Sequence, residues 1–365
     1  MKQMRIAMLL GMALIVTSCG SEPTATPVTP PTTTTGQATT APTAATGQTS
    51  TAPTATTATT ATTGTGKKIR IAYTVPTLDS AFFTTLGQGA QKAADDYGVE
   101  LTFVGANLDV ATQVKQVEDF IQKGVDVLII QGADSAGIVA AVNAAEAADV
   151  PVVTTGDKPD GGKITTHIGF DNLESGVIGG DFIAQQLNGK GNVVELIGRL
   201  GTPSGREKSQ GLEQSIAKHP DMKIVSSQPA NFQRDTAVTV MENIIQAQPQ
   251  IDAVYAANDD MALGGLQALK AAGRDKGVII VGNDGIDDAI AAVKSGEMAG
   301  TIATPPYRQG YMGVEVAYRI ATGQPVPAML NETNQLITKD NVDQADTIMK
   351  GVDAPNRYWE AQFPK

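Results

Sequence analysis

KIRIAYTVPTLDSAFFTTLGQGAQKAADDYGVELTFVG, residues 68–105, decides the fold. An apolar run, Ile69 to Val75, leads into the polar turn Thr77-Leu78-Asp79-Ser80. A helical stretch over about residues 83–97 follows, ends near Gly98, and gives way to a second apolar run from Glu100 to Val104. A largely apolar run of this length reads as a buried strand, and the longer periodic stretch reads as a helix. Strand, helix, strand in this order requires a right-handed crossover and a parallel sheet.

The rhythm continues outward from this unit. Asp126 to Ile130 and Pro151 to Thr154 read as further buried strands, with helices over 110–123 and 136–148 between them. A second series places strands near Asn192 to Leu196, Lys223 to Ser227, Asp252 to Ala256, Val278 to Val281 and Gly300 to Ala303. Helices near 173–187, 205–218, 233–247, 260–272, 286–295 and 309–321 intervene. The class is α/β, and two doubly wound Rossmann-like lobes are the economical packing, because single cores stop growing at about 250 to 300 residues. In such sheets a ligand binds beyond the carboxyl ends of the strands, so the residues just after each strand carry the chemistry.

The chain before Lys67 has a different texture. Lys2 and Arg5 precede a short apolar run, Ile6 to Val16, that is too short to span a bilayer of about 30 Å, and Val16-Thr17-Ser18 sets small residues before Cys19. This pattern resembles the bacterial lipobox, in which residues 1–18 are a removable signal and the cysteine becomes a lipidated N-terminus. Cys19 is the only cysteine, so no disulfide and no cysteine zinc site can form within one chain. From Gly20 to Gly66 the chain is almost entirely Thr, Ala, Pro, Gly, Ser and Gln, with one charge, Glu22. Such a tract cannot build a core and is expected to act as a disordered leash with a reach of about 35 to 40 Å. Its Thr and Ser also suit O-glycosylation.

Of 27 Lys and Arg and 38 Asp and Glu, only Lys2, Arg5 and Glu22 precede Lys67, which leaves 25 against 37 and a formal charge of −12 in the folded part. A surface this acidic does not bind nucleic acid through its phosphates, and membrane attachment is expected only through the lipid.

After the first strand, Phe82 and Phe83 are adjacent aromatics in a chain with few. Neighbours on a helix point about 100° apart, so both cannot enter one core, and at least one is expected to face a cleft. Two later strand ends carry Ala257-Asn258-Asp259-Asp260 and Gly282-Asn283-Asp284-Gly285. Asp259 or Asp260 would serve as a helix cap, whereas Asn258 and Asp284 are less readily explained that way.

Residues 68–340 resemble the type I periplasmic sugar-binding proteins, most closely the ribose-binding proteins. The matching segments include PTLDSAFF from Pro76, GAQKAADDYG from Gly89, PVVTT from Pro151, GRLGTPSGRE from Gly198, SQPANF from Ser227, ANDDMALGGLQALKAAG from Ala257, VGNDG from Val281 and AGTIATPP from Ala299. The resemblance implies two lobes joined by three crossing strands and closing on a sugar. It assigns 67–170 with 305–333 to an N-terminal lobe, 171–304 with 334–345 to a C-terminal lobe, and 346–365 to an extension in which Tyr358-Trp359 would pack on a lobe or meet a partner. It further implies Phe82, Phe83 and Phe232 around the sugar ring, with Arg206, Asn258 and Asp284 as hydrogen-bonding partners. Three positions depart from the ribose-binding pattern. Ser80 and Thr304 stand where that family has amides. An Asp-Arg pair falls on Gly156-Asp157, so a one-residue shift would be needed to put Asp157 and Lys158 in those roles. The implied ligand is a neutral pentose, hexose or related polyol, not ribose in particular.

Enzyme signatures are absent from the sequence: no G-x-S-x-G elbow, no phosphate loop and no H-E-x-x-H helix. His167, in a strand leading to the first lobe crossing, and His219, before Pro220, read as structural, and Asp95-Asp96 and Asp287-Asp288 as solvated helix faces. No metal, cofactor or catalytic group is expected. The resemblance implies an extracytoplasmic monomer whose partners are a monosaccharide, the permease subunits of an ABC transporter and, through Cys19, the membrane. A sensory protein that captures a sugar or autoinducer and presents its closed form to a membrane receptor has the same folded part. A related repressor would need an N-terminal DNA-binding motif where the signal and leash stand.

Overall fold

Ile71, Tyr73 and Val75 of the strand Arg70–Val75 (β1) face one layer of packing, and Ala72 faces the other; all four are buried. Period-two alternation with both faces apolar is what a central strand between two helical layers demands. The structure, a computed structural model, describes residues 67–350 and 358–364. The expected signal, the lipid-bearing Cys19 and the leash therefore lie outside the described residues.

After β1 come α1 (Ala81–Tyr97), β2 (Glu100–Gly105), α2 (Val110–Lys123), β3 (Val127–Ile130), α3 (Val139–Ala147), β4 (Val152–Thr155) and β5 (Thr166–Gly169). The second series is α4 (Asn172–Gln186), β6 (Lys190–Ile197), α5 (Pro203–Ile216), β7 (Asp221–Pro229), α6 (Arg234–Ala247), β8 (Ala253–Ala256), α7 (Asp259–Ala271), β9 (Ile279–Asp284), α8 (Asp287–Ser295) and β10 (Gly300–Ala303). Then follow α9 (Pro306–Ala321), β11 (Met329–Asn331), β12 (Gln335–Thr338) and α10 (Ala345–Met349), with 3-10 turns over Val342–Gln344 and Tyr358–Gln362.

Two sheets result. The first has the order β11-β5-β4-β3-β1-β2 and is parallel throughout; the second has the order β12-β10-β9-β8-β6-β7 and is parallel except for β12, which runs antiparallel to β10. Helices α1 and α9 cover one face of the first sheet, and α2 and α3 the other. Around the second sheet α4 and α5 lie opposite α6, α7 and α8. The fold is thus two doubly wound α/β lobes. Each lobe's paired helices meet at reciprocal glycines. A Cβ on Gly89 would lie 1.8 Å from the Tyr307 carbonyl oxygen, and one on Gly310 would lie 2.0 Å from that of Leu86, so only glycines let α1 and α9 approach this closely.

The chain passes between the sheets after β5, after β10 and between β11 and β12. The three crossings are short segments outside the ladders, tied to one another by hydrogen bonds. Glu332 N donates to Gly169 O at 2.9 Å, Arg308 Nε donates to the buried Glu332 carboxylate at 3.0 Å, and Asn334 Nδ2 donates to Asp171 O at 2.7 Å. Paired this way, the buried Glu332 and Arg308 balance each other's charge at the hinge.

The C-terminal stretch packs back onto the fold. Val342, Ala345 and Met349 join the core of the second lobe, whereas Trp359 and Phe363 join that of the first. Trp359 is 1% exposed, and its Nε1 donates to Glu315 Oε2 at 3.1 Å; the Arg319 guanidinium lies 3.9 Å from the Phe363 ring centre. Gln362 brackets Asn331 in β11, donating to its carbonyl at 2.9 Å and accepting from its N–H at 3.0 Å.

Candidate functional site

Between the carboxyl ends of the two sheets lies a cleft of about 690 Å³. Of the residues expected at a ligand, Ser80, Phe82, Phe83, Asp157, Phe232, Asn258, Asp284 and Thr304 all line it. Arg206 does not. It is exposed on α5 and donates from Nη1 to Leu200 O at 2.7 Å. The reason is helical geometry: Gly205, Lys208, Gly211, Leu212 and Ser215 form the buried stripe of α5, and Arg206 falls off it. Two residues farther on, about 200° around the helix, Lys208 is buried and enters the cleft, where its Nζ donates to Ala257 O at 3.0 Å.

The first lobe contributes the aromatic pair. Ser80 caps α1, accepting from Phe82 N, so the chain turns into the helix with Phe82 and Phe83 at the cleft edge. Their rings meet edge to face at 5.2 Å with planes 83° apart; Phe83 also anchors in the lobe core, while Phe82 is half-buried. After β4, Gly156 takes φ +67°, which turns Asp157 inward and leaves Lys158 exposed. The expected Asp157 is thus in the cleft, but the cation expected beside it is not.

From the second lobe Phe232 enters at φ +64° and takes the space that Gly198 leaves open, since a Cβ there would lie 2.0 Å from the ring's Cζ. Arg199, the next residue, sets its guanidinium 5.5 Å from the Phe232 ring centre. Composition and spacing alone do not separate Arg199 from a solvated loop charge. Its only signal was its place directly after a buried strand, where ligand groups concentrate.

Asn258 corrects an expectation. It is the N-cap of α7, with Oδ1 accepting from Met261 N at 3.0 Å. The cap uses the amide oxygen, and Nδ2 leans on Phe232 O at 3.4 Å at the cleft wall. The next residue, Asp259, is fully buried and ties the turn after β9 to β10, accepting from Gly285 N at 2.7 Å, Ile286 N at 3.0 Å and Thr301 Oγ1 at 2.8 Å. Burial, and then the nearby Asp284 charge, push its carboxyl well above the usual range. Asp284 itself sits at φ +112°, a strained conformation for a residue with a Cβ. Its Oδ1 accepts from Thr304 Oγ1 at 3.1 Å in the second crossing. Burial raises this carboxyl to about 7, with the Lys208 charge and the Thr304 hydrogen bond acting in the opposite direction.

Three contacts hold the lobes together around the cleft. Asp157 accepts from Ser204 N and Ser204 Oγ, both at 2.7 Å. Ser80 Oγ donates to Asp260 Oδ2 at 3.1 Å, and Arg234 Nε holds the other Asp260 oxygen at 3.1 Å. Ser135 N donates to Gly201 O at 3.1 Å. The structure is therefore the closed arrangement. Among the described residues no group of His, Cys, Asp and Glu is arranged to hold a metal ion. His167, in β5, is buried against Thr154 Oγ1 at 2.9 Å, outside the cleft lining.

Residues 71–325 match the periplasmic binding protein domain family. The chain is 41% identical over 260 residues to a ribose import binding protein of Haemophilus influenzae, covering 71% of this chain and 88% of the relative. It is 38% identical over 277 residues to a xylitol-binding protein of Mycolicibacterium smegmatis, covering 76% and 79% respectively. Among solved structures, a solute-binding protein of an ABC transporter from Bacillus halodurans with bound myo-inositol superposes with a TM-score of 0.74 at 31% identity, covering 78% of this chain and 99% of its own.

Proposed function

The chain belongs to the periplasmic binding protein family, and on that premise we propose that it captures a neutral monosaccharide or closely related polyol outside the cytoplasm by hinge closure. The captured sugar is handed to an ABC-type permease, with the lipid on Cys19 and the leash keeping the clamp close to it. The observation that carries this reading is the pairing of chemistries in the closed cleft. Aromatic rings from both lobes, Phe82 and Phe83 against Phe232, frame a space whose edges carry carboxylates, an amide and hydroxyls. A sugar has that division: C–H faces for the rings and in-plane hydroxyls for the polar groups. The relatives' ribose, xylitol and myo-inositol support a polyhydroxy ligand while leaving its identity open.

Closure follows from the same geometry. Asp284 and Asn258 come from the second lobe and Asp157 from the first, so a ligand contacts all three only when the lobes meet. Binding therefore shifts an open population toward the closed one by as much as the ligand prefers it. The role is binding and not catalysis: Asp157, Asp259 and Asp260 are engaged in latches and pins. Isothermal calorimetry of the chain against pentoses, hexoses and polyols tests the reading. At least one neutral sugar is expected to bind; binding of amino acids or nucleosides with no response to any sugar overturns it.

A further inference from the structure

We infer that Arg199 sets the specificity of the cleft, its guanidinium donating to two neighbouring oxygens of a neutral polyhydroxy ligand. The inference rests on the sugar-capture reading and adds the residue that discriminates among sugars. Arg199 lines the cleft, and its Nε is buried with no hydrogen-bond partner among the described residues. The other cations there are committed. Lys208 donates to Ala257 O, and Arg234 bridges Asp260 and Asp288. Arg206 is bonded to Leu200 O outside the cleft.

The surroundings of Arg199 say what kind of oxygen it awaits. Two carboxylates of the facing lobe, Asp157 and Asp134, act on its charge. Neither is hydrogen-bonded to it. Asp157 is taken by Ser204, and Asp134 Oδ1 by Ala136 N at 3.1 Å and Gly137 N at 2.7 Å. The charge is thus balanced at a distance, while the buried Nε is left without an acceptor among the described residues. Such a group favours neutral oxygens over an anion, because an added negative charge would face both carboxylates. The guanidinium lies over the Phe232 ring, 5.5 Å from its centre, and its planar fork matches two oxygens on adjacent carbons. A buried donor left without an acceptor is penalised, so the site rejects sugars lacking either oxygen.

The test is calorimetry on the full chain with the tightest-binding neutral sugar and its mono-deoxy analogues, for wild type, Arg199→Met, Arg199→Lys and Arg206→Met. Loss of charge-assisted bonds predicts weakening of about 10- to 100-fold for Arg199→Met. A smaller loss is expected for Arg199→Lys, and a change within about twofold for Arg206→Met, where no cleft contact is removed. In wild type, one or two deoxy analogues are expected to bind at least about tenfold more weakly than the parent, and Arg199→Met is expected to erase that difference. A merely structural role for Arg199 would weaken all analogues alike, and this pattern would overturn the inference. Undiminished affinity in Arg199→Met, with unchanged ligand-free melting, overturns it too while leaving sugar capture intact. A wild-type chain that binds no neutral sugar overturns both.

Discussion

Removing the Ser204 hydroxyl is expected to shift the protein toward its open form. In the closed arrangement Asp157 receives two hydrogen bonds from the facing lobe, one from Ser204 N and one from Ser204 Oγ, each 2.7 Å long. Ser204→Ala deletes the second and keeps the first. A hydrogen bond to a charged group in a site this buried contributes about 1.5 to 3 kcal/mol, which moves the closed-to-open ratio by about tenfold to a hundredfold. Apparent affinity equals the intrinsic affinity of the closed form scaled by the closed fraction, so where the free protein is mostly open, sugar binding weakens by the same factor. Calorimetry gives the affinity, and a double-mutant cycle with Asp157→Ala isolates the interlobe pair from direct ligand contacts. A coupling of about 1.5 kcal/mol or more is expected. Effects that add to within about 0.3 kcal/mol would show that the contact does not govern closure.

Three further outcomes follow from particular side chains. His167 is held at about 4 by burial, with Lys158 adding to the effect, so the folded state keeps it neutral while the unfolded chain protonates it near 6.5. Its contribution to stability is present above pH 6.5 and is lost as pH falls toward 4, in total about 3 kcal/mol; urea titrations at pH 7.5 and 4.5 should show this loss, and His167→Gln should reduce it. Trp359→Ala removes a fully buried indole and its bond to Glu315, with an expected loss of about 3 to 5 kcal/mol in chemical denaturation; a change under 1 kcal/mol would mean that the terminal stretch contributes little to the first lobe. Asp284 is raised to about 7 by burial, so its contribution to the stability of the ligand-free fold is lost as pH rises from about 4 to 7 and stays lost above that. Asp284→Asn should therefore melt higher than wild type at pH 8 yet bind sugar at least about tenfold more weakly, and a variant that kept full affinity would remove Asp284 from the site.

Most of the fold was legible because central strands of a parallel sheet are apolar on both faces. Ile71 to Val75, Val127 to Ile130 and Ala253 to Ala256 announce themselves without any partner. The edge elements Met329–Asn331 and Gln335–Thr338 did not. They are only three and four residues long, and they are strands because the chain crosses between lobes there and meets β5 and β10.

The site was legible where chemistry and position coincide. The Phe82-Phe83 pair and Asp284 at a strand end both lie where ligands bind in such sheets. Arg206 and Arg199 show the limit. A motif match fixes the spacing of an arginine but not the helix face it takes, and the buried stripe Gly205, Lys208, Gly211, Leu212, Ser215 was the local signal that Arg206 points outward. Asn258 shows a related limit: it lines the cleft and is also the helix cap, because a single amide can cap a helix with its oxygen and still present its nitrogen at the cleft wall.

The central claim, closure of two lobes on a neutral sugar, is tested most directly by small-angle X-ray scattering of the chain with and without the sugar that calorimetry selects. Capture by hinge closure requires the radius of gyration to fall on saturation, and Ser204→Ala to need more sugar for the same contraction. A sugar that binds with full affinity and leaves the radius unchanged would contradict it.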